Sequence, residues 1–482
     1  MMDRNSDKLW LGAILGLALV VRLIGLNGPL WYDEIVTVQT HLKLGWGEML
    51  QSYSMNHHYL HNLAAKLSMI FLGDEPWAIR LPAMLFGLGG IAAMWVLARD
   101  IAGRAPAHAT ALLMALSYHH IWFSQNARGY TGLALFSTLS LIFFLRGLQK
   151  PSLRCWLLFA GSVAATIFTH LTGAFFVATL GLVWLALLLV RRMRGAGVAG
   201  MIRLPFMGFA VGTLITLALY APIIPSMLAG IASVAGTSAI DPMQEYQNPL
   251  WAAYEGLRTG IGQAGPMVAI VGLLVLGLAL LGSLSLRKAA PLFGWITFGH
   301  ILLTVALLLG IGMRIWPRFF FTDIAFVLFL IVLGVQFCCH LLTRALPDRL
   351  GKLLFPLAVA AMALISSAMA VRNYSAPKQD LAGAFRLVEA ARLAGERAYA
   401  ISYSGAVFSG YFKADWGTIW TAEDYQAAVA APGPLSIVVT FPDRNLREYP
   451  SIAADLAAGL LTERAALPGT LGDGTVLILH RD

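Results

Sequence analysis

Residues 9–34 read LWLGAILGLALVVRLIGLNGPLWYDE, an apolar run over 9–26 that passes Arg22 and opens onto two adjacent carboxylates, Asp33 and Glu34. A helix that crosses a bilayer needs about 20 apolar residues with few charges, and 9–26 meets that need. No small-residue cleavage site follows it, so the run reads as a retained anchor rather than a removed signal peptide.

The same pattern recurs along the chain. Apolar stretches near 78–98, 106–123, 130–147, 155–170, 173–190, 206–224, 266–285, 291–311, 319–342 and 353–371 bring the expected number of spans to eleven. The division within 155–190 rests on His170-Leu171-Thr172-Gly173, where a break turns one uncharged stretch into two helices. Composition agrees: 58% of the 482 residues are hydrophobic and only 12% are charged. So few charges cannot cover a soluble globule of this size, which excludes a disordered chain, a nucleic-acid-binding domain and an ordinary soluble enzyme.

Charge placement gives orientation. The net charge of +9 divides unevenly: residues 1–371 carry 24 Lys and Arg against 13 Asp and Glu, and the last 111 residues carry 10 against 12. Sixteen of the 24 fall on alternate loops, from Arg4 and Lys8 to Arg349 and Lys352. The positive-inside rule makes that side cytoplasmic, leaving 27–77, 124–129, 225–265, 312–318 and 372–482 outside. Cys155, Cys338 and Cys339 all lie in apolar stretches, so no disulfide framework is expected.

Beyond Arg372 the character changes. A helical pattern over Asp380–Leu393 is followed by strand-like runs at Ala398–Tyr403, Leu435–Phe441 and Thr475–His480, the pattern of a small α/β domain. The expected architecture is an α-helical polytopic membrane protein, with residues 1–371 as the transmembrane domain and 372–482 as an extracytoplasmic α/β domain.

Polar residues gather at the outer face. Carboxylates beside hydrocarbon are desolvated and suit a general base, which makes Asp33 and Glu34 catalytic candidates; they also suit the start of a helix over Ile35–Leu42. His57 and His61 stand at i, i+4, a spacing that binds a divalent metal when a carboxylate joins and equally suits an interfacial helix, with His58 between them. Arg128 lies outside, away from the cytoplasmic positive bias, where a guanidinium suits a phosphate or reaches for headgroups. Tyr130 follows it. Arg314 and Arg318 add two cations on a short outer loop, and Asp323 enters the next span, either at an anionic site or neutralising an arginine. His170 sits at the same level, as a site residue or a helix end.

Taken in order, these motifs resemble the polytopic glycosyltransferases of the membrane-bound C-type fold, relatives of the protein mannosyltransferases and of the aminoarabinose transferase of lipid A. The matching pieces are Trp31-Tyr32-Asp33-Glu34, His57, Arg80-Leu81-Pro82, Ser124-Gln125-Asn126-Ala127-Arg128-Gly129-Tyr130, Thr169-His170-Leu171-Thr172-Gly173, Pro317-Arg318-Phe319 and Pro377-Lys378-Gln379-Asp380. The resemblance implies that Asp33 and Glu34 stand at the catalytic centre and that Arg128, Tyr130 and Arg318 approach a donor phosphate. Two departures stand out: His57-His58-Tyr59-Leu60 where the family commonly has His-Pro-Pro-Leu, and Arg318-Phe319 without the later prolines.

The implied activity is transfer of a hexose or pentose from a polyprenyl-phosphate carrier to a hydroxyl of a glycan, lipid or protein acceptor, with inversion, on the periplasmic face of a bacterial inner membrane. No cofactor is required; a divalent metal ion at His57 and His61 is the alternative. Expected partners are the lipid-linked donor, the acceptor and membrane lipids, with no nucleic acid. Competing readings are a transporter of a lipid-linked or anionic substrate, which calls for ionisable residues at the midplane and internal repeats, and a membrane acyl- or phosphotransferase.

Overall fold

The computed structural model describes residues 4–54, 56–234, 244–262, 265–344 and 347–482; part of the expected outer segment 225–265 therefore lies outside the described residues. All eleven apolar stretches fall on helices. α1 (Arg4–Leu23) leads into the expected outer loop, which holds α2 (Tyr32–Thr37), α3 (Trp46–Gln51) and α4 (Tyr59–Leu72). Then come α5 (Pro76–Ala102), α6 (Arg104–Leu116), α7 (Tyr118–Ser124), α8 (Tyr130–Gln149), α9 (Leu153–Thr169), α10 (Gly173–Met193) and α11 (Arg203–Tyr220). The second long segment expected outside carries α12 (Ile224–Val234) and α13 (Pro249–Ile261), and α14 (Pro266–Ser285), α15 (Pro291–Gly310), α16 (Phe321–Thr343) and α17 (Asp348–Ala370) follow. Among the described residues eight helical segments are long and apolar enough to cross a membrane. The stretches at α1, α6 and α9 fall short of that measure, so eight is the number that length and composition support.

The break at His170 is real: α9 stops at Thr169 and α10 starts at Gly173. The third expected span is not continuous. Ser117 interrupts it with extended backbone, and its hydroxyl accepts from the His120 N–H to start α7. The interruption strands carbonyls at the end of α6, and Arg22 takes them up: it donates to the oxygens of Ala115 at 3.0 Å and Met114 at 3.3 Å, and to Ser124 Oγ at 3.1 Å. A fully buried arginine thus repairs a helix end.

The main core is aromatic, with Phe144, Trp156, Phe159, Phe176, Phe293, Phe326 and Phe329 all buried. α14 and α16 approach most intimately: a β-carbon at Gly282 would collide with the backbone of Leu330, and one at Gly334 with that of Leu278. Small residues of this kind let helix backbones touch where no hydrophobic force distinguishes helix from lipid.

The C-terminal part forms a five-stranded sheet of order β2-β1-β3-β5-β4, built from β1 (Arg397–Ile401), β2 (Gly417–Ile419), β3 (Leu435–Thr440), β4 (Thr462–Leu467) and β5 (Val476–Arg481). β2, β1 and β3 run parallel, and β5 and β4 antiparallel. Alternation along β3 sends Val438 to one face and Ile437 and Val439 to the other. The first face packs with α18 (Leu381–Leu393) and α19 (Ser404–Gly410) onto Ile35, Val38 and Leu42 of the first outer loop. The opposite face is covered from α20 (Ala422–Ala430), α21 (Pro442–Glu448) and α22 (Pro450–Ala457) by Tyr425, Leu446 and Ile452.

Candidate active site

The site begins with the two carboxylates after α1, which the fold sends in opposite directions. Glu34 is fully buried and its oxygens are taken. Oε1 accepts from Arg80 Nε at 2.8 Å and from the Ala127 N–H at 2.7 Å; Oε2 accepts from Arg80 Nη2 at 2.6 Å and the Trp31 N–H at 3.3 Å. Arg80, on α5, also binds the carbonyls of Leu26, Gly28 and Pro29. Burial alone raises the Glu34 carboxyl, but the charge and hydrogen bonds of Arg80 outweigh it and hold the group below the usual carboxylate range. The pair joins the first loop to the 125–130 segment, so Glu34, expected at the catalytic centre, is saturated with structural bonds.

Asp33 faces the other way. Its Oδ2 lies 3.5 Å from Arg128 Nη1 and 3.8 Å from Arg318 Nη1, and its side chain is 19% exposed. Arg128 is buried, yet its Nε and Nη1 make no hydrogen bond. Arg318 stacks on Trp316, and its Nε is also without a hydrogen-bond partner. Buried donors left unbonded are uncommon and cost free energy, so these guanidinium groups are set for an anion. Tyr130 lies under the Arg128 head at 5.9 Å, while Arg314 is half-buried on the loop leading to Arg318.

The histidines line the same pocket differently than expected. α4 starts at Tyr59, so His57 lies outside the helix and does not share a helical face with His61. Asn62 stands between the two rings: its amide donates to His57 Nδ1 at 3.1 Å and its oxygen lies 3.3 Å from His61 Nδ1. His57 Nε2 meets the Met49 carbonyl at 3.1 Å. With one nitrogen accepting and the other donating, His57 has no free lone pair for a metal. Among the described residues no three His, Cys, Asp or Glu side chains gather into a metal-holding group. Burial drives the His57 pKa down to about 3 and that of His61 to about 4, and takes His58 well below its ordinary value, so all three rings are neutral.

His58 lies within the field of Arg128. It is buried with both ring nitrogens unbonded, 5.0 Å from the Tyr130 ring and 4.8 Å from that of His170. His170 follows the last residue of α9 and takes hydrogen bonds from Thr172 at Nδ1. Asp323 does not join the site: buried in α16, it pairs with His300 at 2.8 Å and not with an arginine. The reason is depth, since Asp323 lies a turn and a half beyond Arg318 along the chain.

Three contributors escaped the reading of candidate residues. Arg80 figured only as part of a motif, although the Glu34 contact makes it a keystone. His41, in a π-helical turn after α2, has two unbonded ring nitrogens, and its ring centroid lies 4.0 Å from that of His57; no local spacing announces it. Lys378 donates to the Gln125 carbonyl and stands over Trp122, fastening the chain after α17 to the site. Beside Asp33, burial and the neighbouring carboxylate push the Tyr32 phenol up to about 12, against the opposing charge of Arg444.

Residues 56–230 match the family model of dolichyl-phosphate-mannose-protein mannosyltransferase. No curated protein matches the sequence significantly. Among solved structures, ArnT from Cupriavidus metallidurans in the apo state shares 15% identity over 98% of each chain with a TM-score of 0.56. The same protein bound to undecaprenyl phosphate also shares 15% identity over 98% of each chain, with a TM-score of 0.53. The archaeal oligosaccharyltransferase AglB from Archaeoglobus fulgidus, in complex with an inhibitory peptide and a dolichol-phosphate, is 12% identical, with a TM-score of 0.50 over 83% of this chain and 63% of that one. These likenesses bear out the fold resemblance read from the motifs.

Proposed function

We propose that this chain is a membrane glycosyltransferase that moves a sugar from a polyprenyl-phosphate donor to an acceptor hydroxyl at the outer membrane face. The observation that carries the reading is the meeting of Asp33 with Arg128 and Arg318, whose buried donors lack hydrogen-bond partners. The family match over 56–230 and the lipid phosphates named for ArnT and AglB support it.

In this reading the phosphate of the donor lies against Arg128 and Arg318, with Tyr130 and the neutral His58 beside it. The acceptor hydroxyl attacks the anomeric carbon as the bond from that carbon to the phosphate oxygen breaks. Asp33 takes the hydroxyl proton, and the electron pair of the broken bond stays on the phosphate. Attack opposite the leaving group inverts the anomeric carbon. Fixed positive charge at the phosphate lowers the barrier because it needs no reorganisation when charge develops. Arg314, four residues before Arg318, adds to the positive field. Glu34 positions Asp33 and does not touch the reacting atoms. The charge work falls to arginines, so a chelator is expected to leave the rate unchanged.

The donor carries a hexose or pentose, and the setting is a bacterial inner membrane with residues 372–482 in the periplasm. The test compares extracted glycolipids, polysaccharides and glycoproteins from cells with and without the gene, complemented by wild type or Asp33→Asn. The expected result is a missing sugar residue and an accumulated lipid-linked sugar, restored only by wild type. Restoration by Asp33→Asn removes the base from Asp33, and an acyl or phosphoryl difference in product mass rejects glycosyl transfer.

A further inference from the structure

The C-terminal sheet places a crevice beside the proposed reaction centre. β1 and β3 are parallel neighbours, but the chain leaves them towards opposite faces: after β1 it enters α19, packed on the side of the first outer loop, and after β3 it enters α21 and α22 on the other side. Where adjacent parallel strands send their connections apart, a gap opens at their carboxyl ends, and that gap is where open α/β sheets bind ligands. The residues that follow these two strands, Ser402 and Phe441, both adopt positive φ, 55° and 48°, without being glycine. Backbone in that region is costly and persists where the surroundings enforce it.

The walls of the gap are aromatic. Tyr403 and Trp420 are 63% and 49% exposed, with ring centroids 5.3 Å apart and planes at 88°. On the Trp420 side lies a cleft of about 370 Å³, bordered by Trp420, Thr421, Glu448, Tyr449 and Ser451. Its floor is fixed, since Tyr449 donates its phenolic hydrogen to the Trp420 carbonyl at 3.0 Å. From there α21 leads back to Phe441, which packs edge-on against Tyr32 at 5.5 Å, one residue from Asp33. Arg444, midway along α21, has an Nε without a hydrogen bond, 3.7 Å from Glu448. Seven residues of helix span about 10 Å, so cleft and reaction centre lie within reach of one extended ligand.

We propose that this crevice is the acceptor subsite and that it takes a saccharide: the attacking hydroxyl reaches Asp33 while a more distant sugar ring lies on Trp420 and Tyr403. The chemistry is that of a pyranose. Its axial C–H groups carry partial positive charge and settle on the negative face of an aromatic ring, and its hydroxyls need the mixed donors and acceptors that Arg444, Glu448, Thr421 and Ser451 supply. A size near 370 Å³ fits a small-molecule cleft. This inference rests on the glycosyl-transfer reading only for the word acceptor; saccharide binding at the crevice stands or falls separately.

The full-length protein in lipid nanodiscs, mixed with chitotriose, maltotriose or mannotriose, tests binding by saturation-transfer NMR. At least one trisaccharide is expected to receive saturation from wild type and from Asp33→Asn, and to lose it in Trp420→Ala and in Tyr403→Ala, with thermal unfolding confirming that both variants fold. In a transfer assay the two aromatic variants are expected to raise the acceptor KM about tenfold while leaving donor KM and saturating rate unchanged. Saturation of a trisaccharide that is lost in the aromatic variants, in a protein that transfers nothing, supports the crevice and rejects the function. Transfer abolished by Asp33→Asn but with an unaltered acceptor KM in both aromatic variants rejects the crevice and keeps the function. No trisaccharide saturated by wild type, or a product on an unglycosylated polypeptide, also overturns the inference.

Discussion

Glu34 and Asp33 are adjacent in sequence and chemically alike, and the fold gives them separate work. Glu34→Gln leaves the Arg80 charge buried without its partner, a defect that costs about 3–5 kcal/mol. Its thermal unfolding midpoint is therefore expected to fall sharply, whereas Asp33→Asn, at a partly exposed carboxylate, is expected to unfold like wild type. Equal midpoints for the two variants would remove the structural role of Glu34. The sequence marked the pair but not its division, because the partner that decides it, Arg80, lies 46 residues away. The histidines make a pH prediction. An unfolded histidine titrates near 6.5, while burial holds the folded His57 at about 3 and His61 at about 4. Between these limits the unfolded chain binds more protons, so stability falls as pH drops below about 6.5, by about 1.4 kcal/mol per pH unit for each ring. A His57→Asn/His61→Gln variant is expected to lose less of its unfolding temperature between pH 7 and pH 5 than wild type does; identical slopes would show that these rings titrate normally.

At the scale of elements, legibility follows periodicity. The apolar stretches were plain because each is long enough to repeat its signal, and the division at His170 needed only a cluster of polar and small residues. Ser117 was missed because Leu116 precedes it and the apolar run resumes at Ile121, so the interruption reads as part of one stretch. In the C-terminal part, β1, β3 and β5 carry branched or buried runs and were read, while β2 is three residues long and β4, Thr-Glu-Arg-Ala-Ala-Leu, is a largely exposed edge without a strand pattern. Close helix contacts were equally hidden, since a glycine within an apolar helix looks the same whether it faces lipid or a neighbour. Gly334→Leu tests one such contact. The side chain would meet the α14 backbone, which cannot yield as a flexible side chain can, and a loss of about 3 kcal/mol, the upper end of the usual cost of overpacking, is expected. Gly277→Leu, on α14 where a β-carbon meets nothing, serves as the control. Comparable thermal stability of the two variants would contradict the tight α14 and α16 packing.

Across the whole molecule, the polar groups of three outer segments and the C-terminal sheet meet at one level. That these segments share one side was readable because the apolar stretches between them alternate along the chain. The reach of the C-terminal sheet to Tyr32 was not, because contacts between residues about 400 positions apart leave no trace in local pattern. The reaction centre depends on this convergence: Asp33 comes from the first outer loop, Arg128 from the second and Arg318 from the late one. Binding of undecaprenyl phosphate to the purified protein tests it most directly, with wild type, Arg128→Ala, Arg318→Ala and Asp33→Asn compared at one ionic strength. Loss of an arginine from a buried charge contact typically costs about 2–5 kcal/mol, so affinity is expected to fall at least about tenfold in each arginine variant and to hold or improve in Asp33→Asn, which removes a negative charge beside the phosphate. Unchanged affinity in both arginine variants would contradict the account.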